Sequence, residues 1–178
     1  MKYIFTLLLF TIFISTNILS SDEISEDCSS KNVPSSERSF SNNFSGNFNG
    51  KNLQYTASLK EKILYEKDNP NEPMASFFYT EYIVASDKNR PVIFSFNGGP
   101  GSASLWLHMG VLGPKVIKVP SDASDDGSAP YKIVDNKLSP LSDADLVFID
   151  PIGTGYSRAV GCHEPEEFWG VSEDPKII

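Results

Sequence analysis

Pro91-Val92-Ile93-Phe94-Ser95-Phe96 runs straight into Asn97-Gly98-Gly99-Pro100-Gly101-Ser102-Ala103-Ser104, and this junction decides the fold. The first six residues make a short, nearly continuous apolar run, the pattern of a strand buried on both faces. The glycines behind it let the backbone approach a ligand and turn N–H groups outward without side-chain obstruction. From Ser102 to Leu112, Leu105, Met109 and Leu112 recur at helical spacing, and Gly113-Pro114 stops the helix. Strand, glycine loop and helix are therefore contiguous.

Downstream, Lys115 to Tyr131 is broken by Pro and Gly and by the acidic tip Asp122 to Asp126, which reads as loop. Asp145 to Asp150 is a second apolar strand, ended by Pro151. A parallel strand joined to the first through a helix is an α/β crossover. A half-built sheet of this kind is expected to leave an apolar edge at Leu146 to Ile149, and with it poor solubility. Upstream, Leu53, Tyr55 and Ala57 alternate, Ile63 to Tyr65 is apolar, and Ser76 to Val84 is aromatic and β-branched; Asp68-Asn69-Pro70-Asn71 supplies a turn before the last of these. Together they predict an antiparallel meander.

The stretch 21–50 is dominated by Ser, Asn, Asp, Glu and Lys, too few aliphatics to offset ordering entropy, and reads as a flexible leader. Asn43-Phe44-Ser45 within it matches the N-glycosylation acceptor pattern, which an Asn- and Ser-rich tract also produces by chance. Lys2 followed by an apolar run from Ile4 to Leu19 and then Ser20-Ser21 reads as a secretory signal peptide over 1–20. A spanning helix needs about 20 apolar residues, so no stable membrane association is expected. Residues 51–178 remain as the folded portion. Export places Cys28 and Cys162 in an oxidising compartment, and the sequence leaves open whether they pair. A formal charge of -8 argues against a nucleic-acid surface, which requires clustered Lys and Arg.

The chemistry concentrates at the glycine loop. A loop of this kind after the third strand is where α/β-hydrolases place half of the oxyanion hole, and one such donor contributes about 2.7–4 kcal/mol to the tetrahedral intermediate. A tight helix start with no catalytic role is the plain alternative. Phosphate binding fails on detail, because Gly-Lys-Ser/Thr is missing and neither this loop nor Gly153-Thr154-Gly155 has the dinucleotide spacing.

NGGPGSAS over 97–104, LGP over 112–114 and FIDPIGTGYS over 148–157 together resemble the serine carboxypeptidases related to cathepsin A and carboxypeptidase Y, with a likeness to the bacterial-type branch. The resemblance implies an α/β-hydrolase fold, of which this chain holds the N-terminal part, an antiparallel meander leading into a parallel sheet. It implies that the Gly99 backbone N–H is an oxyanion donor and that Asn97, with Gly98 beside it, binds the substrate's terminal carboxylate. Three positions depart from the family: Val111 replaces the usual carboxylate-binding Glu, Ser102 a frequent Cys, and Pro140 a Trp. Asp150 and Gly153 to Ser157 are implied to shape the site rather than react. The family's Gly-Glu-Ser-Tyr elbow, its Asp and its His are expected beyond Ile178, so the fragment alone is expected to be inactive.

The residues themselves agree that no triad is contained here. Gly155-Tyr156-Ser157-Arg158-Ala159 imitates a nucleophile elbow, but an elbow needs a strand running into its first Gly, and Pro151 to Thr154 intervenes. His108 lies on the helix and is expected to be packed or capping; His163 follows Ser157 too closely for an acid between them. The resulting expectation is a secreted or extracytoplasmic serine carboxypeptidase, vacuolar or lysosomal in a eukaryote, acting on peptides or proteins without metal or organic cofactor. An esterase or acyltransferase on the same fold, and a non-catalytic secreted binding protein, are the alternatives.

Overall fold

A computed structural model describes residues 28–86, 89–98, 101–119, 122, 124 and 129–169. The expected signal segment 1–20 lies outside them. The chain builds a mixed sheet with few helices. Three long antiparallel strands, β1 (Ser39–Phe48), β2 (Lys51–Tyr65) and β3 (Pro73–Val84), come first. The short β4 (Val92–Ser95) leads through the glycine loop to a single α-turn, α1 (Leu105–Leu107), continued by a π-helical turn over His108–Leu112. β5 (Lys115–Ile117) and β6 (Ile133–Asp135) pair as a small antiparallel hairpin. β7 (Asp145–Ile149) and the two-residue β8 (Arg158–Ala159) complete the described strands. The main sheet runs β1-β2-β3-β7-β4, with β8 added to the far end of β3.

The expected crossover is present: β4 and β7 are parallel, with Val92 opposite Asp145 and Ser95 opposite Phe148. The meander is also present, but with different members. Residues 53–57 and 63–65 belong to one continuous strand, β2, whose outer partner is β1. The Ser- and Asn-rich stretch is therefore not a leader as far as residue 50. Its polar side chains are satisfied across the pair, Ser41 Oγ to Ser58 Oγ at 2.9 Å, Thr56 Oγ1 to Asn43 Oδ1 at 2.9 Å and Asn47 Nδ2 to Asn52 Oδ1 at 2.7 Å. On the other face, Phe40, Phe44 and Phe48 recur at even spacing, and Phe48 reaches the core.

Three further expectations change. The edge of the sheet is β4, not β7: β7 sits between β3 and β4 and is buried from Asp145 to Phe148. In β4, by contrast, Val92 is 45% and Phe94 60% exposed, so the apolar run read as buried on both faces has one strand neighbour and open faces among the described residues. An apolar run reports hydrophobicity and cannot report which elements cover it. The loop expected over Lys115 to Tyr131 likewise begins as strand, because Val116 and Ile117 find Val134 and Ile133 opposite.

One core lies on the face that carries the π-turn, where Phe48, Tyr55, Tyr82, Val84, Leu141, Leu146 and Phe148 pack together. A smaller one joins Ala75, Ile152 and Phe168. Asp145 ties the start of β7 to its surroundings by accepting from Arg90 Nε at 2.9 Å and from the Val84 N–H at 3.1 Å, while Arg90 Nη2 donates to the Leu141 carbonyl at 2.7 Å.

The N-terminal segment is strapped down. Cys28 is bonded to Cys162, with Cα atoms 4.9 Å apart. The Gly161 N–H donates to the Lys31 carbonyl at 2.8 Å, and Glu37 meets Lys62 Nζ at 2.7 Å. Arg38 donates through Nε and Nη2 to both oxygens of Glu61, at 2.7 and 3.1 Å. The Glu61 side chain is fully buried; the Ser76 hydroxyl donates to it as well, and the Arg38 bonds hold its carboxyl below the usual range. Removing one partner of such a pair leaves an uncompensated buried charge. Arg38→Met is accordingly expected to lower the urea midpoint, and Glu61→Gln added to it to recover part of the loss. Equal midpoints for the wild type and Arg38→Met would refute the dependence.

Candidate active site

The glycine loop leaves the C-terminal end of β4 beside the C-terminal end of parallel β7, the edge at which open α/β sheets place ligand sites. Two bonds fasten the loop's exit to β7. The Ser104 N–H donates to Asp150 Oδ1 at 2.8 Å, and the Ser104 hydroxyl donates to the Ile149 carbonyl. The helix expected from Ser102 starts at Leu105, with the Ser104 carbonyl accepting its first bond from the His108 N–H at 2.8 Å. Burial pushes the Asp150 carboxyl up, and the Ser104 N–H partly opposes that. Asp150 also requires glycine at 155, where φ is +50° and an added Cβ would lie 2.1 Å from Asp150 Oδ2.

The π-turn ends with the Gly113 N–H donating to the His108 carbonyl at 2.9 Å. A Cβ on Gly113 would lie 2.3 Å from that oxygen, so this closure needs glycine. The carbonyls at the end of the turn are taken by Asn136, whose Nδ2 donates to Val111 at 2.7 Å and Gly113 at 2.9 Å, and by Ser139, whose hydroxyl donates to Leu112 at 2.7 Å. Neither residue stands out in the sequence, where Asn136 reads only as a polar turn position.

Asn97 is half-buried, and its Oδ1 accepts from the Leu107 N–H at 3.4 Å, so it braces the α-turn. Gly98 is exposed next to it. Gly99 lies outside the described residues, as does Pro100. Val111 is 59% exposed at the end of the π-turn. Ser102 is half-buried in the loop, and Pro140 opens a 3₁₀ turn over Pro140–Ser142.

Both histidines are engaged in structural contacts. His108 stacks on Phe148 with centroids 4.5 Å apart, and its Nε2 lies 2.5 Å from the Tyr82 hydroxyl. Burial lowers its pKa to about 4 and pushes Tyr82 up to about 12. His163 Nδ1 lies 2.7 Å from Glu167 Oε2, beside the disulfide. Ser157 is fully buried, accepting from the Phe78 N–H and donating to the Asp150 carbonyl, both at 2.8 Å. A hydroxyl so placed cannot meet a substrate, and the imitation elbow is a structural turn.

The sequence profile of the family described as serine carboxypeptidase matches residues 52–165. The chain is 34% identical over 102 residues to carboxypeptidase Y homolog A of Chaetomium globosum, covering 56% of this chain and 16% of that protein. It is 35% identical over 102 residues to the protein of the same name from Aspergillus oryzae, covering 56% and 17%. It is 32% identical over 90 residues to serine carboxypeptidase-like 36 of Arabidopsis thaliana, covering 49% and 17%. The aligned stretch thus spans about a sixth of the length of these relatives. They are fungal and plant proteins, and the likeness to a bacterial-type branch is not borne out.

Proposed function

This chain belongs to the serine carboxypeptidase family, and on that premise we propose that the whole protein is a serine-type exopeptidase that releases C-terminal residues through an acyl-enzyme. The observation that carries the reading is the glycine loop at the C-terminal ends of parallel β4 and β7, latched by Asp150 and Ser104. The order β2-β3-β7-β4 supports an α/β-hydrolase sheet, with the loop in the position of that fold's oxyanion wall. In this reading the Gly99 N–H donates to the oxygen of the scissile carbonyl as it becomes an oxyanion, while Asn97 and Gly98 line the wall that receives the terminal carboxylate. A preorganised donor favours the tetrahedral intermediate over the ground state because it need not reorient as charge develops. The nucleophile and its base are not Ser157, His108 or His163, each of which is occupied otherwise.

Reaction of the full-length product with a fluorophosphonate and release of C-terminal residues from peptides is the expected outcome. A product that neither labels nor hydrolyses peptides would refute the reading. Export through the 1–20 segment belongs to the same proposal, supported by the disulfide. No described helix is long and apolar enough to cross a membrane.

Exposed Val111 favours a second reading, an esterase or acyltransferase, since an apolar side chain offers a carboxylate nothing. Matched free-acid and amidated peptides separate the two: a carboxypeptidase strongly prefers the free acid, whereas equal turnover points to the second.

A further inference from the structure

Asn43-Phe44-Ser45 is the motif that the proposed activity leaves unused, and the fold gives it a context that its sequence does not. Asn43 stands in the middle of β1, which forms one edge of the main sheet and pairs only with β2 among the described residues. Asn43 and Ser45 are both exposed, and being two residues apart they share one face of the strand. Asn43 Oδ1 accepts from the Thr56 hydroxyl at 2.9 Å, which turns the amide oxygen toward β2 and leaves the amide nitrogen on the side away from Thr56.

The strand itself lacks protection. An open edge is a template for pairing with another chain, and proteins blunt such edges with charges, proline or short length. β1 is 10 residues long and reads Ser-Phe-Ser-Asn-Asn-Phe-Ser-Gly-Asn-Phe, without a charge or a proline, and Phe40 is 62% exposed. The opposite edge, β4, is only four residues long.

We propose that Asn43 is an N-glycan attachment site, filled when the chain passes through a glycosylating secretory pathway, and that the glycan shields the open edge of β1. The Asn43 amide nitrogen bonds to the anomeric carbon of an oligosaccharide carried on a lipid pyrophosphate. The anomeric C–O bond breaks, the lipid pyrophosphate departs, and the nitrogen loses one proton to the transferase; nothing is oxidised or reduced. Ser45 supplies the hydroxyl that the acceptor pattern requires. The Thr56 bond survives, because the glycan occupies the nitrogen and leaves Oδ1 free to accept.

The full chain directed into a eukaryotic secretory pathway tests both parts. Peptide:N-glycosidase in heavy-oxygen water is expected to shift the secreted protein's mobility and to leave Asn43 as heavy-oxygen-labelled Asp. Ser45→Thr keeps the shift and Ser45→Ala loses it. An unmodified Asn43 in secreted protein overturns the site. Light scattering of the secreted glycosylated wild type and of the unglycosylated Ser45→Ala variant tests the shield with Asn43 left uncharged and the β4 surface common to both. Concentration-dependent association of the variant alone supports the shield, and equal association of the two overturns it.

Discussion

Replacing both Cys28 and Cys162 by Ser is expected to lower the free energy of unfolding by about 5 kcal/mol in the chain-entropy account of cross-links. The bridge spans 134 residues of sequence, so the reduced unfolded chain regains a very large loop's worth of freedom. A domain of this kind is stable by about 5–15 kcal/mol in all, so the loss would consume much of it. Native contacts argue in the same direction. The bridge holds Cys28 beside the turn at Gly161 to His163, and the strap behind it carries the Lys31, Glu37 and Arg38 contacts to that turn and to β2. Urea titration of the oxidised protein and the double variant gives the value. A loss below about 1 kcal/mol would mean that the strap frays locally, with the rest of the sheet stable without it. Limited proteolysis separates the cases, since local fraying exposes residues 29–38 while the folded remainder resists.

The strap shows where a sequence stops specifying structure. Two cysteines this far apart carry no geometry, so their pairing is decided only once β8 and the turn after it are placed against β3. The strand, glycine loop and helix around residue 97 are legible because contiguous local signals specify them. β1 is not, because its Ser and Asn residues hide the apolar alternation; the phenylalanines at 40, 44 and 48 are the available signal, and they acquire meaning only with β2 opposite. The parallel pairing of β4 and β7 is legible from two apolar runs flanking a helix, but the insertion of β7 between β3 and β4 depends on long-range register. At the site, Asp150 is readable as support for the loop, whereas its bond to the Ser104 N–H and its conflict with any Cβ at 155 arise only in three dimensions. Gly99, the expected oxyanion donor, lies outside the described residues, and its role stands on the family resemblance.

Acidification from about pH 6.5 to 4 is expected to remove about 3 kcal/mol of stability through His108 alone. Burial lowers its pKa to about 4 in the folded chain, against an ordinary value of about 6.5 in the unfolded chain. Between these values the unfolded chain binds a proton that the folded chain refuses, so stability is complete above pH 6.5 and falls as pH approaches 4. The cause is local. The imidazole lies flat on Phe148, and its Nε2 faces the hydroxyl of Tyr82, whose own pKa is pushed up to about 12 and which therefore stays protonated across this range. Burial is what sets the His108 shift, with no neighbouring carboxylate among the described residues to offset it. Carboxyls contribute to the whole-protein pH profile with both signs. Glu61 is held below the usual range and loses its stabilising effect only in more acidic solution, while Asp150, raised by burial, favours folding as it protonates. Comparison with a variant isolates the histidine. His108→Gln retains a hydrogen-bonding side chain for Tyr82 and removes the proton site, so the difference between wild type and variant in urea-derived stability should change by about 3 kcal/mol over the same range of pH. A pH-independent difference would show that His108 protonates freely in the folded chain and that its packing against Phe148 opens readily.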